Sequence, residues 1–219
     1  MKEKSGTVFS IADDNKCVKG CTISKAISSE NGYYVSYFSL ACATDITPET
    51  YSYHKLWLVH SGQGRVTALD NKNLCTLKSG DLYVTPRDKA VGVVADKDFV
   101  YTEITLKENS NMNSILKAGD VFSLKDLVPY QDGKIVNMDL INDDKLKFVI
   151  MSFDKGTGLS EHAAPGEALI FALDGNGIIG YEGKEYPIKA GENFKFDKGG
   201  AHYVKADGQF KMALLLTLE

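Results

Sequence analysis

The side chains of this sequence that could carry chemistry are few, and the cysteines are the first to consider. All four lie within the first 75 residues: Cys17, Cys21, Cys42 and Cys75. Cys17 and Cys21 form a C-x-x-x-C pair, but no second pair and no nearby histidine completes a zinc set. The chain also offers no convincing carboxylate pair, Ser-His-Asp set or Cys-His set for catalysis. We therefore expect reduced, structural thiols.

Composition excludes several classes of protein. The 219 residues include 25 Lys and Arg against 29 Asp and Glu, which gives a net charge of −4, and 43% of them are hydrophobic. No run approaches the ~18 apolar residues of a membrane span, and no signal-peptide stretch follows the first residues. An acidic chain without a basic cluster is a poor candidate for nucleic acid or anionic membranes. We expect a cytoplasmic protein with neither as a partner.

The sequence repeats itself at an offset of 113 residues. Residues 8–11, Val-Phe-Ser-Ile, recur at 121–124 as Val-Phe-Ser-Leu, and Gly62 and Gly64 return as Gly175 and Gly177. Further along, the offset falls to 111, and a turn tolerates that difference of two residues. The repeat predicts an N-terminal domain over residues 1–107 and a C-terminal domain over 119–219. A polar linker over 108–118, which can form a short helical turn, would join them.

Short β-branched and aromatic runs in both copies predict strands, for example residues 33–38, 99–104, 168–173 and 212–216. Gly, Asn and Asp separate these runs, and no long amphipathic helix is present. The spacing predicts an all-β barrel or sandwich in each copy. Residues 56–59, Leu-Trp-Leu-Val, are apolar on both strand faces, so we expect both faces to be covered, by the other copy or by a second subunit.

Two glycine-punctuated segments of the second copy resemble the two conserved motifs of the cupins. Residues 162–168, His-Ala-Ala-Pro-Gly-Glu-Ala, resemble the first motif together with 171–177, and residues 190–202, which end in Gly-Gly-Ala-His, resemble the second. With the repeat, the whole chain resembles a bicupin. The resemblance implies two tandem jelly-roll β-barrels.

The resemblance also implies where a metal site would lie. His162 and His202 match the first and last metal-ligand positions of the family, whereas Ala164 and Ala168 occupy the other two. Glu161 and Glu167 are one residue out of step, and on a strand one step turns the side chain to the opposite face. The cofactor implied is a divalent transition metal such as Zn, Mn, Fe or Ni.

Two imidazoles alone make a poor transition-metal site, since stable sites normally use three or four protein ligands. A bound metal would depend on water, a ligand or another side chain, such as Tyr181, Tyr186 or Asp197. We favour slightly the alternative that the imidazoles hydrogen-bond a small molecule. The candidate ligand-binding residues are His162, His202, Tyr181 and Asp197, and His162 and His202 are also the candidate metal ligands.

The first copy departs further from the cupin motif. Its matching positions are Glu49, Tyr51, Lys55 and Val91, which form no metal-ligand set. His54 and His60 are out of step with Lys55, so we expect them to point away from any site. We therefore expect replacement of Glu49 by alanine to have little effect.

Three functions remain open at this point. The first is small-molecule binding in the C-terminal barrel, and the second is a metal-dependent cupin enzyme of the oxygenase or isomerase class that uses His162 and His202. The third is a structural or partner-binding role through apolar barrel faces, which would also permit a homodimer. Fold alone does not decide among them.

Overall fold

The structure is a computed structural model that describes residues 1–218, and its chain divides into two compact units. One unit, which we call the N-terminal barrel, contains residues 1–2, 11–110 and 114–123. The other, the C-terminal barrel, contains residues 3–10, 111–113 and those from 124 onward. These units differ from the predicted ranges because residues 3–10 pack with the second copy and residues 114–123 pack with the first. Residues 114–115 form a turn, not the predicted helical one.

The N-terminal barrel consists of two antiparallel sheets, and the chain enters it through a short helix, α1 (Ile11–Asp14). A first strand, β1 (Val8–Phe9), precedes the helix and belongs to the C-terminal barrel. The strands of the N-terminal barrel are β2 (Thr22–Glu30), β3 (Tyr33–Leu40), β4 (Asp45–Glu49), β5 (Lys55–Ser61), β6 (Gln63–Thr67), β7 (Asn73–Lys78), β8 (Asp81–Val84), β9 (Val91–Ala95), β10 (Phe99–Thr105) and β11 (Val121–Ser123). Their order is β11-β8-β5-β10-β3-β2 in one sheet and β4-β9-β6-β7 in the other.

The C-terminal barrel, to which β1 belongs, continues with a 3-10 turn at Leu124–Asp126. Its strands are β12 (Ile135–Asn142), β13 (Leu146–Phe153), β14 (Gly158–Ala163), β15 (Glu167–Tyr181), β16 (Lys184–Lys189), β17 (Asn193–Phe196) and β18 (Ala201–Thr217). They form a sheet in the order β1-β17-β15-β18-β13-β12, in which β14 also pairs with β18 and β16 with β15. The prediction of an all-β chain with two jelly-roll barrels is confirmed.

Strand register agrees with the internal repeat. In the C-terminal barrel His162 pairs with His202 across β14 and β18, and in the N-terminal barrel Glu49 pairs with Val91 across β4 and β9. These are the residues that the offsets of 113 and 111 match to each other. The two copies therefore share not only their strands but also the pairing at the positions where the cupin motifs place ligands.

Each barrel buries a separate cluster of large side chains. Phe153, Phe194, Phe196 and Phe210 lie in the C-terminal cluster, and the N-terminal cluster contains the group Trp57, Tyr83, Phe99 and Tyr101. Alternating residues of each strand supply these inward faces, as a half-buried strand requires. Residues 56–59 are at most 4% exposed, which confirms burial on both faces of that strand.

The cysteines and the helices add little to the functional question. All four cysteines are free thiols, and Cys17 donates from Sγ to the carbonyl oxygen of Leu40 at 3.2 Å. Among residues 1–218 there is no helix of the length and apolar character that a membrane span requires.

Candidate functional site

Three adjacent strands of the C-terminal barrel bring together three of the four predicted ligand-binding residues. His202 on β18 lies opposite His162 on β14 and opposite Tyr181 on β15. Because cross-strand partners point to the same face of a sheet, these three side chains form one row. We call this row, His162–His202–Tyr181, the imidazole row.

The two imidazole rings are in contact, with centroids 4.2 Å apart and planes at 53°. The Nδ1 atom of His162 donates to the carbonyl oxygen of Ser160 at 2.8 Å, and that of His202 donates to the carbonyl oxygen of Gly200 at 3.0 Å. A carbonyl only accepts, so each Nδ1 carries a proton, and in the neutral form of such a ring the lone pair lies on Nε2. The pair therefore presents two Nε2 atoms, held in fixed orientation by the backbone.

The row runs from solvent into the protein, because His162 is exposed whereas His202 is only 7% exposed. The His202 ring stacks on Phe196, with centroids 4.0 Å apart and planes at 28°. Burial lowers the pKa of His202 from 6.5, and the nearby His162 lowers it further, while the hydrogen bond to Gly200 opposes both. His202 is therefore neutral at pH 7.

Tyr181 closes the inner end of the row. Its ring packs at 75° to Phe194 and at 40° to Phe196, with centroid distances of 5.8 and 5.5 Å. A Cβ added at Gly200 would lie 2.5 Å from the Tyr181 ring, so glycine is required there for the ring to fit. The Tyr181 hydroxyl accepts a long hydrogen bond, 3.4 Å, from the backbone N–H of Asp197. Tyr181 thus forms an aromatic wall beside His202.

Asp197, the fourth predicted ligand-binding residue, directs its carboxylate into an ion-pair network. It accepts from Lys195 Nζ at 2.5 Å and from the Ser5 hydroxyl, and Lys195 also pairs with Glu167 at 2.7 Å. These hydrogen bonds, that from Lys195 first, hold the pKa of Asp197 below its usual value. Sequence reasoning missed Lys195, which lies on β17 two residues before Asp197.

The donors at the cupin ligand positions do not fit a resident transition metal. Ala164 and Ala168 are buried in the core cluster and offer no donor atom. Glu167, one residue away, points to Lys195, as the strand alternation predicts. Residues 1–218 contain no group of three or more His, Cys, Asp or Glu side chains that could hold a metal ion. Two imidazoles fall short of the three or four protein ligands that stable sites use.

A shallow groove of about 390 Å³ runs along β14 and β18 next to the row. Ser160, whose carbonyl oxygen holds His162, lines it together with Lys205 and Thr157. The groove adds a cation and hydroxyl groups close to the exposed end of the imidazole row.

In the N-terminal barrel, both histidines lie within hydrogen-bond distance of a residue from another segment of the chain. His54 Nδ1 lies 2.7 Å from the Thr85 carbonyl oxygen, and His60 Nε2 lies 2.6 Å from Thr102 Oγ1. Burial lowers the pKa of His60 to about 3. The position that matches Ala168 is Lys55, which forms an ion pair with Glu103 at 3.0 Å.

Comparisons with known proteins agree with this architecture. Residues 149–218 match the cupin domain family model Cupin_2. A cupin 2 conserved barrel domain protein from Leptotrichia buccalis is similar over 99% of this chain and 98% of its own, with 28% identity and a TM-score of 0.86. No curated protein matches the chain in sequence.

Two enzymes share the fold at low identity. Salicylate 1,2-dioxygenase from Pseudoaminobacter salicylatoxidans has 10% identity and a TM-score of 0.64, and covers 96% of this chain and 80% of its own. A mutant of oxalate decarboxylase from Bacillus subtilis has 13% identity and a TM-score of 0.55, and covers 100% of this chain and 78% of its own. Residues 149–218 thus match a cupin domain, and the fold of the whole chain is similar to that of a cupin 2 conserved barrel domain protein.

Proposed function

We propose that this protein is a bicupin that binds a small molecule in its C-terminal barrel, at the imidazole row. The observation that carries the proposal is the cross-strand pair of His162 and His202, in which both Nδ1 atoms donate to backbone carbonyls and both Nε2 atoms are left for a ligand.

The chemistry of the row indicates the kind of ligand. The Nε2 atom of a neutral imidazole accepts a hydrogen bond, so the ligand would supply hydroxyl or N–H groups at this point. The aromatic wall of Phe196 and Tyr181 would pack against an apolar face of the ligand. A small hydroxylated compound, such as a sugar, combines both properties.

The alternative is a metal-dependent cupin enzyme of the oxygenase or isomerase class. Its support is that His162 and His202 present two adjacent Nε2 atoms at the first and last ligand positions of the cupin motifs. Water or the substrate itself would have to complete the coordination of Zn, Mn, Fe or Ni, because Ala164 and Ala168 cannot.

Thermal unfolding in the presence of compounds tests the proposal. Small sugars, carboxylates and aromatic compounds would be screened on wild-type protein, since a ligand that binds only the native state must raise its stability. Hits would be repeated on His162→Ala and His202→Ala, with Glu161→Ala as the matched control, because Glu161 is exposed and adjacent to His162.

The expected result is a stabilising hydroxylated compound whose effect is lost in both histidine variants and kept in the control. Metal analysis of protein purified without added metal separates the alternative. Stoichiometric metal that disappears in both histidine variants would overturn the metal-free proposal in favour of the enzyme. A hit that survives both substitutions would place the ligand elsewhere.

A further inference from the structure

Residues 3–10, which we call the N-terminal arm, pack within the C-terminal barrel beside the imidazole row. Strand β1 of the arm pairs with β17, where Val8 lies opposite Phe194. The backbone N–H of Gly6 donates to the carbonyl oxygen of Lys195 at 3.2 Å. The arm therefore follows a strand that carries aromatic side chains of the candidate site.

Gly6 of the arm lies directly against the ring of Tyr181. A Cβ added at Gly6 would be 3.2 Å from two carbons of that ring, and one added at Gly200 would approach its opposite edge at 2.5 Å. The arm and the segment that leads into His202 thus enclose the Tyr181 ring between them. A ligand that reaches the inner end of the row from this side must displace the arm.

Ser5 ties the arm to Asp197. Its hydroxyl donates to Oδ2 of Asp197, whose Oδ1 accepts from Lys195 Nζ at 2.5 Å, so the lysine helps to orient the carboxylate. None of residues 3–10 is fully buried, and β1 contains only two residues. Because segments with little buried surface open locally at a low cost in free energy, this arm can leave the barrel without global unfolding.

The internal repeat shows which contacts of the arm belong to the fold in general. Gly119 matches Gly6 at the offset of 113, and its N–H donates at 2.8 Å to the carbonyl oxygen of Val84, which matches Lys195 at the offset of 111. The backbone therefore follows the same path in both barrels. A Cβ added at Gly119, however, would meet nothing within 4 Å, so no ring lies against the glycine there.

The side-chain contacts of the arm have no counterpart in the repeat. The positions that match Ser5 and Asp197 hold Ala118 and Pro86, whose side chains cannot form a hydrogen bond. The position that matches Tyr181 holds alanine. The hydroxyl–carboxylate bond and the contact with an aromatic ring therefore accompany the imidazole row and are not needed to hold the arm in the fold.

We propose that the N-terminal arm is a lid over the inner end of the imidazole row, with the hydrogen bond from Ser5 to Asp197 as its latch. Opening of the lid admits a ligand to Tyr181 and His202, and closing excludes water from the bound ligand. This inference rests on the proposed function, because it assigns the lid to that site.

Acylation of histidine by diethyl pyrocarbonate measures access to the row without a ligand. The reagent reacts with an unprotonated imidazole nitrogen, so the Nε2 atom of His202 reports whether the row is open. Initial rates at pH 7.5 would be followed by mass spectrometry of peptides that contain His202, His162 or His60. His162 is exposed, and His60 lies in the N-terminal barrel, so both serve as internal references.

Two lid variants of the full chain loosen the arm. Ser5→Ala removes the latch, and Gly6→Val places a side chain against the Tyr181 ring at a φ of +68°, where a β-branched residue is strained. Thr7→Ala is the matched control, because the Thr7 hydroxyl donates within the arm, to the carbonyl oxygen of Lys4.

Ser5→Ala is expected to raise the rate of His202 acylation about fivefold, since one hydrogen bond to a charged group no longer holds the lid closed. Gly6→Val should raise it at least as much, and Thr7→Ala should react at the wild-type rate. The rates of His162 and His60 should stay unchanged in all three variants.

Three outcomes would overturn the proposal. His202 could react at the wild-type rate in both lid variants, or the rates of His202 and His60 could rise together, which would indicate general unfolding. Thr7→Ala could also act as strongly as Ser5→Ala, which would exclude the latch. The proposed function fails separately: a hydroxylated compound that stabilises the protein through both histidines, with His202 acylation unaffected by the lid variants, would keep the site and remove the lid.

Discussion

His202 lies opposite His162 on antiparallel strands, and the two imidazoles touch with their Nδ1 protons both committed to backbone carbonyls. The two rings differ in burial, because His162 is exposed and His202 is buried against Phe196. The buried ring resists protonation, and this has a measurable consequence for stability.

The first prediction concerns acid sensitivity. Burial holds the pKa of His202 in the folded protein below its unfolded value of 6.5, so the unfolded state binds more protons as the pH falls below 6.5. Stability should therefore fall as the pH drops from 6.5 toward the folded pKa, by at most about 1.4 kcal/mol from this group at pH 5.5.

Urea unfolding at pH 7.5 and 5.5 measures this loss in wild-type protein and in His202→Asn. The variant should lose less stability between the two pH values than wild type does. The loss of stability that remains in the variant includes the contribution of His60, whose pKa is also lowered by burial. Equal losses in both proteins would contradict the prediction.

The second prediction uses the empty ligand positions. Ala164→His together with Ala168→Glu would give the C-terminal barrel four donors at the cupin positions, with His162 and His202. The free double variant should be less stable than wild type, since both alanines are packed in the core. It should bind close to one equivalent of Zn or Mn and regain stability when the metal is added.

Metal analysis and melting temperature with and without metal provide the measurement. The single variant Ala168→Glu is the intermediate case, with three donors and weaker binding. Wild-type protein is the control for side-chain orientation, because its Glu167 is only one residue from position 168 yet pairs with Lys195. A double variant that binds no more metal than wild type would show that the positions do not converge.

Sequence reasoning succeeded where a relationship depends on register. The offset of 113, and of 111 after the turn, matches His162 to Glu49 and His202 to Val91. Accordingly, His162 pairs with His202 in one barrel, and Glu49 pairs with Val91 in the other. Alternation likewise excluded Glu167 as a ligand. These conclusions need only the period of a strand and the length of a turn.

Sequence reasoning failed where a partner comes from a distant strand without a motif. Lys55 was noted only as a lost metal ligand, because nothing near it in sequence identifies Glu103 as its ion-pair partner. Lys195 was missed for the same reason, since Glu167 meets it only once β15 and β17 are paired. The local sequence pattern determines on which face of a strand a side chain lies. Only the pairing of strands determines which residue lies next to it.

The third prediction concerns glycines in the C-terminal barrel. Gly175 has φ = +67°, and a Cβ there would lie 1.8 Å from the carbonyl oxygen of Gln209. Gly175→Val should therefore destabilise the protein by about 3 kcal/mol or more, through backbone strain and a clash with backbone that cannot move away.

Gly191 is the matched control, because its φ is +88° but a Cβ would meet nothing within 4 Å. Gly191→Val should cost only the conformational strain, about 1–2 kcal/mol. Chemical unfolding measures both variants, and ligand affinity per folded molecule should be unchanged. Equal stability of the two variants would contradict the register assigned to β15 and β18.

The fourth prediction concerns the ion-pair network around Lys195, which is 3% exposed. Burial tends to raise the pKa of Glu167, but the hydrogen bond and charge of Lys195 bring it below 4.5, and the same lysine lowers the pKa of Asp197 from 3.8. Carboxylates with lowered folded pKa values stabilise the protein above their unfolded pKa, and that stability is lost as the pH falls through the folded values.

Lys195→Met should remove this effect, at a cost of about 2 kcal/mol at pH 7, less than for a fully buried pair because Asp197 is half exposed. Between pH 5 and pH 3 the variant should lose less stability than wild type, since the lowering of both carboxylate pKa values by Lys195 is gone. Urea unfolding across that range measures the difference, and the histidine contributions cancel because wild type and variant share both histidines. If wild type and variant lost stability in parallel below pH 5, Lys195 would not be the group that holds these carboxylates ionised.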